Sequence, residues 1–136
     1  MSRILLVDDE KNVLKSLSIG LRRYDYSVSQ AKNGTEALRV LEENPCDIVI
    51  SDVRMSPMDG YALAARVREK YPGTSIVLMS AYGFEEETDE NGGDLVNHRL
   101  TKPFAITDLV QILREEEMKN GTQDDWVEEE EEGWNF

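Results

Sequence analysis

Five polar side chains with the chemistry for handling phosphate follow four apolar stretches. Asp8 and Asp9 follow the first stretch, and Asp52, Ser80 and Lys102 follow one stretch each. Three carboxylates close together repel one another and favour a bound cation. A set of oxygen ligands without Cys or His favours Mg²⁺, with Mn²⁺ as an alternative, over zinc. The lysine ammonium and the serine hydroxyl could in turn pair with the oxygens of a phosphoryl group.

A carboxylate can itself be the nucleophile in phosphoryl transfer, which produces an aspartyl phosphate. Asp52 is the best candidate because it ends the most apolar stretch, which begins at Ile48. Asp8 and Asp9 then act as metal ligands, directly or through water. The alternative for Asp9 is a purely structural one, as the N-cap of a helix that begins near Lys11.

The elements that position these residues alternate between strands and helices. Continuous apolar runs that begin near Arg3, Ile48 and Ser75 predict strands buried on both faces, as in a parallel sheet. Weaker strands are predicted at 27–31 and around Leu100. Between and after the strands, apolar residues at helical spacing predict helices. Their stripes are Val13, Leu14, Leu17 and Leu21; Ala37, Leu38 and Leu41; residues 61–70; and Ile106, Leu109, Val110 and Leu113.

This alternation predicts an α/β fold, a doubly wound parallel sheet with helices on both faces. In such sheets the site lies beyond the carboxyl ends of the strands. The five polar residues are therefore expected to converge. One interval departs from the pattern, since residues 85–94 contain no apolar side chain. We expect a fourth helix there to be frayed, shortened or absent.

Charge and composition exclude several function classes. Of the net charge of −13, residues 115–136 carry ten acids and one base, and the rest carries 18 acids and 14 bases. From this charge balance we expect no basic stripe for direct nucleic-acid binding. The sequence has no apolar stretch long enough to cross a bilayer and no signal-peptide pattern, so a cytoplasmic location is expected.

Cys46 and His98 are the single residues of their types. We predict a buried or loop position for Cys46 and a bystander role for His98.

The residues at the strand ends and several short motifs resemble the receiver domains of bacterial two-component response regulators. The motifs are ILLVDDE at 4–10, NGTEAL at 33–38, DIVISDVRM at 47–55, MDG at 58–60, LMSA at 78–81 and LTKPF at 100–104. The resemblance implies a flavodoxin-like five-stranded sheet of order 2-1-3-4-5. It places the receiver domain at 1–119. The acidic residues 120–136, which include Trp126, Trp134 and Phe136, are expected to form a disordered tail. The alternative is that these aromatic side chains dock on a partner or on the domain itself.

The same resemblance implies a role for each site residue. Asp52 is the phosphoacceptor, Asp8 and Asp9 are the acidic Mg²⁺ pair, and the backbone carbonyl of Arg54 is a further metal ligand. Ser80 is the switch hydroxyl. Lys102 pairs with the phosphate and precedes a cis bond to Pro103. The phosphodonor is a phosphohistidine of a sensor kinase or phosphotransfer protein, so the family implies phosphorelay signal transduction. A downstream protein target and a homodimer are also implied.

Two positions depart from the family pattern. Ser56-Pro57 stands where the family usually has Pro-Gly. Arg99 stands where the family usually has Tyr or Phe, an aromatic residue that moves inward when the switch hydroxyl engages the phosphate. An arginine does not bury in an apolar slot without a partner. We therefore predict that phosphorylation is retained, and that the conformational readout is altered around the fourth helix and Arg99.

Two further functions are possible in principle. A receiver-like interaction module that works without phosphate would typically lose one of the five site residues, and all five are present. A phosphatase that turns over through an aspartyl phosphate would need a second Asp two residues after the nucleophile, and Arg54 occupies that position. We expect self-catalysed phosphorylation and slow autodephosphorylation at most, without an enzymatic turnover. No DNA-binding or catalytic output domain is expected in the acidic residues 121–136.

Overall fold

Five parallel strands form one sheet in the order β2-β1-β3-β4-β5. The computed structural model describes residues 2–84 and 95–119. The strands are β1 (Arg3–Val7), β2 (Ser27–Ala31), β3 (Ile48–Asp52), β4 (Ser75–Ser80) and β5 (His98–Thr101). The helices are α1 (Lys11–Arg22), α2 (Gly34–Glu43), α3 (Gly60–Lys70) and α4 (Ile106–Lys119). The predicted flavodoxin-like order is confirmed.

The sheet is covered on both faces, which explains the continuous apolar runs of its inner strands. Leu5 and Val49 contribute to the core under α2 and α3. Their neighbours Leu6 and Ile50 contribute to the core under α1 and α4. Because successive strand residues point to opposite faces, every position of such a strand must be apolar until the strand reaches the solvent. The first polar residue after each run therefore marks the edge of the sheet.

The helices begin and end where local signals place them. The side chain of Asn33 accepts a hydrogen bond from Glu36 N at 2.8 Å and caps α2. Asp59 caps α3 by accepting from Ala62 N at 2.8 Å. The residue before α1 is Glu10, which makes no side-chain capping bond. The capping alternative for Asp9 is therefore wrong.

A buried polar cluster at the opposite edge of the sheet joins α4 to β4 and β5. Glu116, which is 2% exposed, accepts from Ser75 Oγ at 2.5 Å and pairs with His98 Nε2 at 2.6 Å. Lys119 Nζ lies 3.3 Å from the same carboxylate. His98 thus takes part in the packing of α4, away from the carboxylates at the other edge of the sheet, and this does not contradict the bystander role predicted for it in the chemistry. Cys46 is buried, as predicted, and burial raises the pKa of its thiol.

Two predictions fall on residues that the structure does not describe. The expected irregularity of residues 85–94 and the expected character of residues 120–136 both lie outside the described ranges. Within those ranges, every helix is too short or too polar to span a membrane.

Candidate functional site

Three carboxylates meet at the carboxyl edge of the sheet. Asp8 follows β1, Asp9 is the next residue, and Asp52 ends β3. One oxygen from each lies within 4.8 Å of the other two. The Asp8 side chain is 1% exposed and that of Asp52 is 13% exposed, whereas Asp9 is exposed. The pairing of β1 with β3 brings the first and last of these residues together although 43 positions separate them.

Lys102 is the cation of the cluster. Its Nζ lies 2.9 Å from Asp52 Oδ1 and 3.2 Å from Asp8 Oδ2. The backbone fixes this position, because Lys102 N donates to Ser80 O at 2.8 Å just beyond the paired ends of β4 and β5. The bond between Lys102 and Pro103 is cis, as the resemblance implied, and Ser56-Pro57 is also cis. One lysine thus stands against three carboxylates.

Burial and charge shift the pKa values of this cluster in opposite directions. Burial is the largest influence on Asp8 and raises its pKa, despite the opposing hydrogen bond from Glu10 N and the charge of Lys102. Burial alone would lower the pKa of Lys102. Its hydrogen bond to Asp52 and the charges of Asp8 and Asp52 outweigh burial, and the pKa is raised. The lysine is therefore firmly protonated, while ionised Asp8 is held at a cost.

Ser80 ends β4 and is 2% exposed. Its Oγ accepts a hydrogen bond from Tyr82 N at 3.0 Å, which leaves the hydroxyl hydrogen for donation to a second acceptor. Ser80 lines a cleft of about 270 Å³ that is also bordered by Asp9, Asp52 and Lys102. Four of the five predicted residues therefore line one cleft, and the fifth, Asp8, is buried beside it in contact with Lys102.

The loop after Asp52 passes close to the start of α3. Gly60 N donates to Val53 O at 2.8 Å. A Cβ atom at position 60 would lie 2.5 Å from the backbone oxygen of Asp52 and 2.9 Å from Val53 Cα. A glycine is thus required here by close backbone approach. In the sequence, Gly60 stood out only as part of the MDG motif. Its role, to let the start of α3 approach the backbone of Asp52, is visible only in the packing.

Arg54 and Tyr82 form one wall of the cleft. The guanidinium carbon of Arg54 lies 4.4 Å from the centre of the Tyr82 ring, in a cation–π contact. The two residues follow different strands, β3 and β4. Sequence reasoning did not single out Tyr82, because no local pattern distinguishes it from other exposed aromatic residues.

Arg99 does not line the cleft. It lies on β5, where its backbone pairs with Leu78, and the residue is exposed. Position 99 therefore carries no buried aromatic side chain in this protein. The predicted change in readout itself stays a prediction, because residues 85–94 lie outside the described ranges.

The donor set fits a hard divalent cation. All three clustered side chains offer carboxylate oxygens, and no His or Cys of the described chain joins them. Oxygen-only coordination is what Mg²⁺ requires in proteins. The cluster carries three negative charges against one lysine, so a divalent cation would relieve repulsion that the protein itself leaves uncompensated. Asp8, Asp9 and Asp52 are the residues that would hold it.

Comparison with known proteins agrees with this geometry. Residues 4–114 match the model of the response regulator receiver domain. The chain is 36% identical over 129 residues to the transcriptional regulatory protein GlrR of Escherichia coli strain K12. The match covers 93% of this chain but 29% of the relative. The chain thus spans less than a third of that curated protein, and about half of two other curated relatives.

Solved structures show the same fold. The response regulator protein TrrA from Thermotoga maritima, in complex with Mg²⁺-BeF, is 29% identical with a TM-score of 0.76. The likeness covers 85% of this chain and 99% of that one. TrrA in complex with the histidine kinase ThkA is also similar, with 29% identity, a TM-score of 0.74, and coverage of 85% and 98%. The family match, the sheet order and the site agree, and the chain belongs to the receiver domains of two-component response regulators.

Proposed function

We propose that Asp52 accepts a phosphoryl group from a phosphohistidine in a Mg²⁺-dependent reaction, and that the phosphorylated domain switches protein–protein contacts. The observation that carries this proposal is the position of Lys102, which contacts Asp52 at 2.9 Å and Asp8 at 3.2 Å. A lysine that contacts both the nucleophilic carboxylate of Asp52 and the carboxylate of Asp8 can pair with the phosphoryl oxygens as negative charge develops on them.

Each residue has a task in the transfer. An oxygen of Asp52 forms the new bond to phosphorus while the bond to the donor imidazole nitrogen breaks, and its electron pair returns to that nitrogen. Lys102 is held protonated by its carboxylate neighbours, so it can neutralise an equatorial oxygen of the phosphoryl group. The hydroxyl of Ser80 can donate to another of these oxygens. Positioning and electrostatics thus supply most of the catalysis.

Asp8 and Asp9, with Asp52 and the carbonyl of Arg54, are the proposed Mg²⁺ ligands. When bound, the ion neutralises charge on the phosphoryl oxygens and on the carboxylate cluster. Mn²⁺ has the same preference for oxygen ligands. Burial already makes ionised Asp8 costly, which favours occupation of the site by a cation.

We propose that the domain is a phosphoacceptor and not an enzyme with turnover. Arg54 stands two residues after Asp52, where an aspartyl-phosphate phosphatase would place a general acid. The guanidinium cannot serve as that acid, because it does not release its proton. Slow hydrolysis of the aspartyl phosphate is expected.

The proposed donor is a sensor histidine kinase or a phosphotransfer protein. The complex of the similar receiver TrrA with a histidine kinase supports this choice. Because such donors are phosphorylated from ATP, we also propose that the domain acts in the cytoplasm. Curated relatives are named transcriptional regulatory proteins, which supports a downstream role in signalling. We propose a protein target for this chain and no direct contact with nucleic acid.

We also propose that the readout differs from that of family members with an aromatic residue at position 99. Arg99 is exposed on β5, so an inward-moving aromatic ring cannot carry the switch here. Two-dimensional NMR with beryllofluoride tests this idea. Backbone shifts over residues 85–99 that match those of an ordinary family member would contradict it.

The main experiment adds Mg²⁺ and beryllofluoride, a phosphoryl mimic, to the wild type and to Asp52→Asn. We expect saturable, Mg²⁺-dependent NMR shifts in the wild type and none in the variant. Asp59→Asn is the matched control, since Asp59 caps α3 at the same edge of the sheet and Asn caps equally well. No response of the wild type would refute phosphoryl acceptance and favour the phosphate-independent interaction module.

A further inference from the structure

A cationic groove lies between α1, the edge strand β2 and the start of α2, outside the phosphorylation site. Its volume is about 640 Å³. Lys11, Lys15 and Arg22 border it along α1, at spacings that place them on one side of the helix. Lys32 borders it from the segment after β2, and Glu36 is the only acid among the described residues that line it. The groove is thus basic on a chain whose net charge is −13.

The cations of this groove are available for a partner. Within residues 2–84 and 95–119, no carboxylate forms an ion pair with Lys11, Lys15 or Lys32. The carboxylate of Glu36 is engaged by the backbone, because its Oε1 accepts from the N of Lys32 at 2.6 Å. The groove also presents an apolar contact, Ile19, which is 45% exposed. A ligand suited to it would combine negative charge with apolar side chains.

The end of α4 lies beside one end of this groove. Glu117, in the last turn of α4, accepts from Tyr26 OH at 3.3 Å and from Ser2 Oγ at 2.8 Å. Tyr26 immediately precedes β2, and its backbone N donates to Leu21 O of α1 at 3.3 Å. Arg22, the next residue, donates to Val28 O of β2 at 3.0 Å. The last turn of α4, where the described part of the chain ends, therefore lies near the Arg22 end of the groove.

The segment that continues from α4 has the chemistry that the groove requires. Residues 120–136 contain seven acids and no Lys or Arg, together with Trp126, Trp134 and Phe136. Seventeen extended residues reach about 56 Å. The twelve residues of α1 span about 18 Å. The segment is long enough to follow the whole groove with slack.

We propose that residues 120–136 bind in this groove of their own chain, with the acids of 124–132 paired to Lys11, Lys15 and Lys32. The aromatic side chains pack on the apolar surface around Ile19. The end of the groove at Ala31 and Lys32 adjoins the phosphorylation site, since Ala31 O accepts from Asp8 N at 3.1 Å. The bound segment therefore adds negative charge beside the cleft that receives the phosphoryl group.

Tryptophan fluorescence tests the proposal directly, because Trp126 and Trp134 are the only two tryptophans of the chain. We expect low acrylamide quenching in the native 136-residue chain at low salt. Lys15→Glu and high salt should each raise the quenching towards the value of the urea-unfolded chain, since both weaken charge pairing. Lys70→Glu is the matched control. It makes the same charge change at an exposed lysine on α3, on the other face of the sheet, and should leave quenching unchanged.

Carbodiimide crosslinking gives the second readout and identifies the surface. Crosslinks from residues 124–132 to Lys11, Lys15 or Lys32 of the same chain support the proposal. Quenching equal to that of the unfolded chain, or protection that survives Lys15→Glu, would overturn it. Protection that depends on protein concentration, with crosslinks between chains, would also overturn it and assign the groove to a second copy. Circular dichroism of both variants verifies that their folds are intact.

Discussion

Replacing Asp8 with Asn tests whether the carboxylate cluster is held together against its own repulsion. Asn has nearly the shape of Asp, and its side-chain oxygen can still accept the hydrogen bond from Glu10 N. In the wild type this bond joins Glu10 N to Asp8 Oδ1 at 3.0 Å. The variant therefore changes charge at a buried position without creating a cavity. We expect it to be more stable than the wild type in the absence of Mg²⁺.

The distances allow the competing terms to be compared. At an effective dielectric constant of about 20, the attraction of Asp8 to Lys102 across 3.2 Å is about 5 kcal/mol. The repulsion from Asp52, within 4.8 Å, is at least about 3.5 kcal/mol. Asp9 also repels Asp8. Because Asp9 is exposed, water weakens this repulsion to about half of that between Asp8 and Asp52. Attraction and repulsion therefore nearly cancel.

Desolvation decides the sign. The Asp8 side chain is 1% exposed, and the effective cost of burying an ion is typically several kcal/mol. The raised pKa of Asp8 has the same cause. We expect a gain of about 1–3 kcal/mol in the unfolding free energy of Asp8→Asn, smaller than the full desolvation cost because the amide must also be buried.

Urea unfolding followed by far-UV circular dichroism is the assay, because both tryptophans lie in residues 120–136 and would report on that segment. With EDTA, Asp8→Asn should have the higher midpoint at an unchanged slope. With Mg²⁺ at about a hundred times its dissociation constant, the wild type should gain about 2.7 kcal/mol and the variant much less.

Asp59→Asn is the control and should stay within about 0.5 kcal/mol of the wild type. A variant less stable than the wild type in EDTA would refute the reasoning, because it would mean that the Lys102 pair outweighs repulsion and desolvation. An equal gain from Mg²⁺ in both proteins would remove Asp8 from the proposed ligands.

Two further predictions concern residues that support the site and the opposite edge of the sheet. Gly60→Ala should lower the unfolding free energy by about 2 kcal/mol, since its Cβ would meet the backbone of Asp52 and Val53; Gly73→Ala, with open space around the new atom, is the control in the same urea assay. Glu116→Gln should cost about 2 kcal/mol at neutral pH, because His98 loses its charged partner. Burial alone would raise the pKa of Glu116, but the hydrogen bonds from Ser75, His98 and Lys119 outweigh it and hold the pKa below 4.5. This stabilisation is complete above pH 4.5 and disappears as the pH falls through the lower folded-state pKa, so the difference between the proteins should shrink below pH 4.5. Exposed Glu115→Gln should show no such pH dependence, and the same behaviour in both variants would contradict the assignment.

Much of the site was predictable from sequence because the patterns that indicate it are local. A strand buried on both faces must be apolar throughout. Asp8, Asp52 and Ser80 end such apolar runs and therefore indicate the edge of the sheet. Parallel strands then bring these ends to one side. The helix limits were similarly readable, since Asn33 and Asp59 are capping residues. Topology and the candidate residues of the cleft follow from these patterns.

The tertiary structure alone decided which side chains meet across elements. Glu116 pairs with Ser75, 41 positions away, and with His98, 18 positions away. No periodic pattern in the sequence predicts these contacts. The close approach of Gly60 to Asp52, the contact of Arg54 with Tyr82, and the grouping of Lys32 with the lysines of α1 have the same origin. Periodic patterns determine which face of an element is buried. The register of strands and the packing of helices determine the partner, because they set distances of a few ångströms between residues remote in sequence.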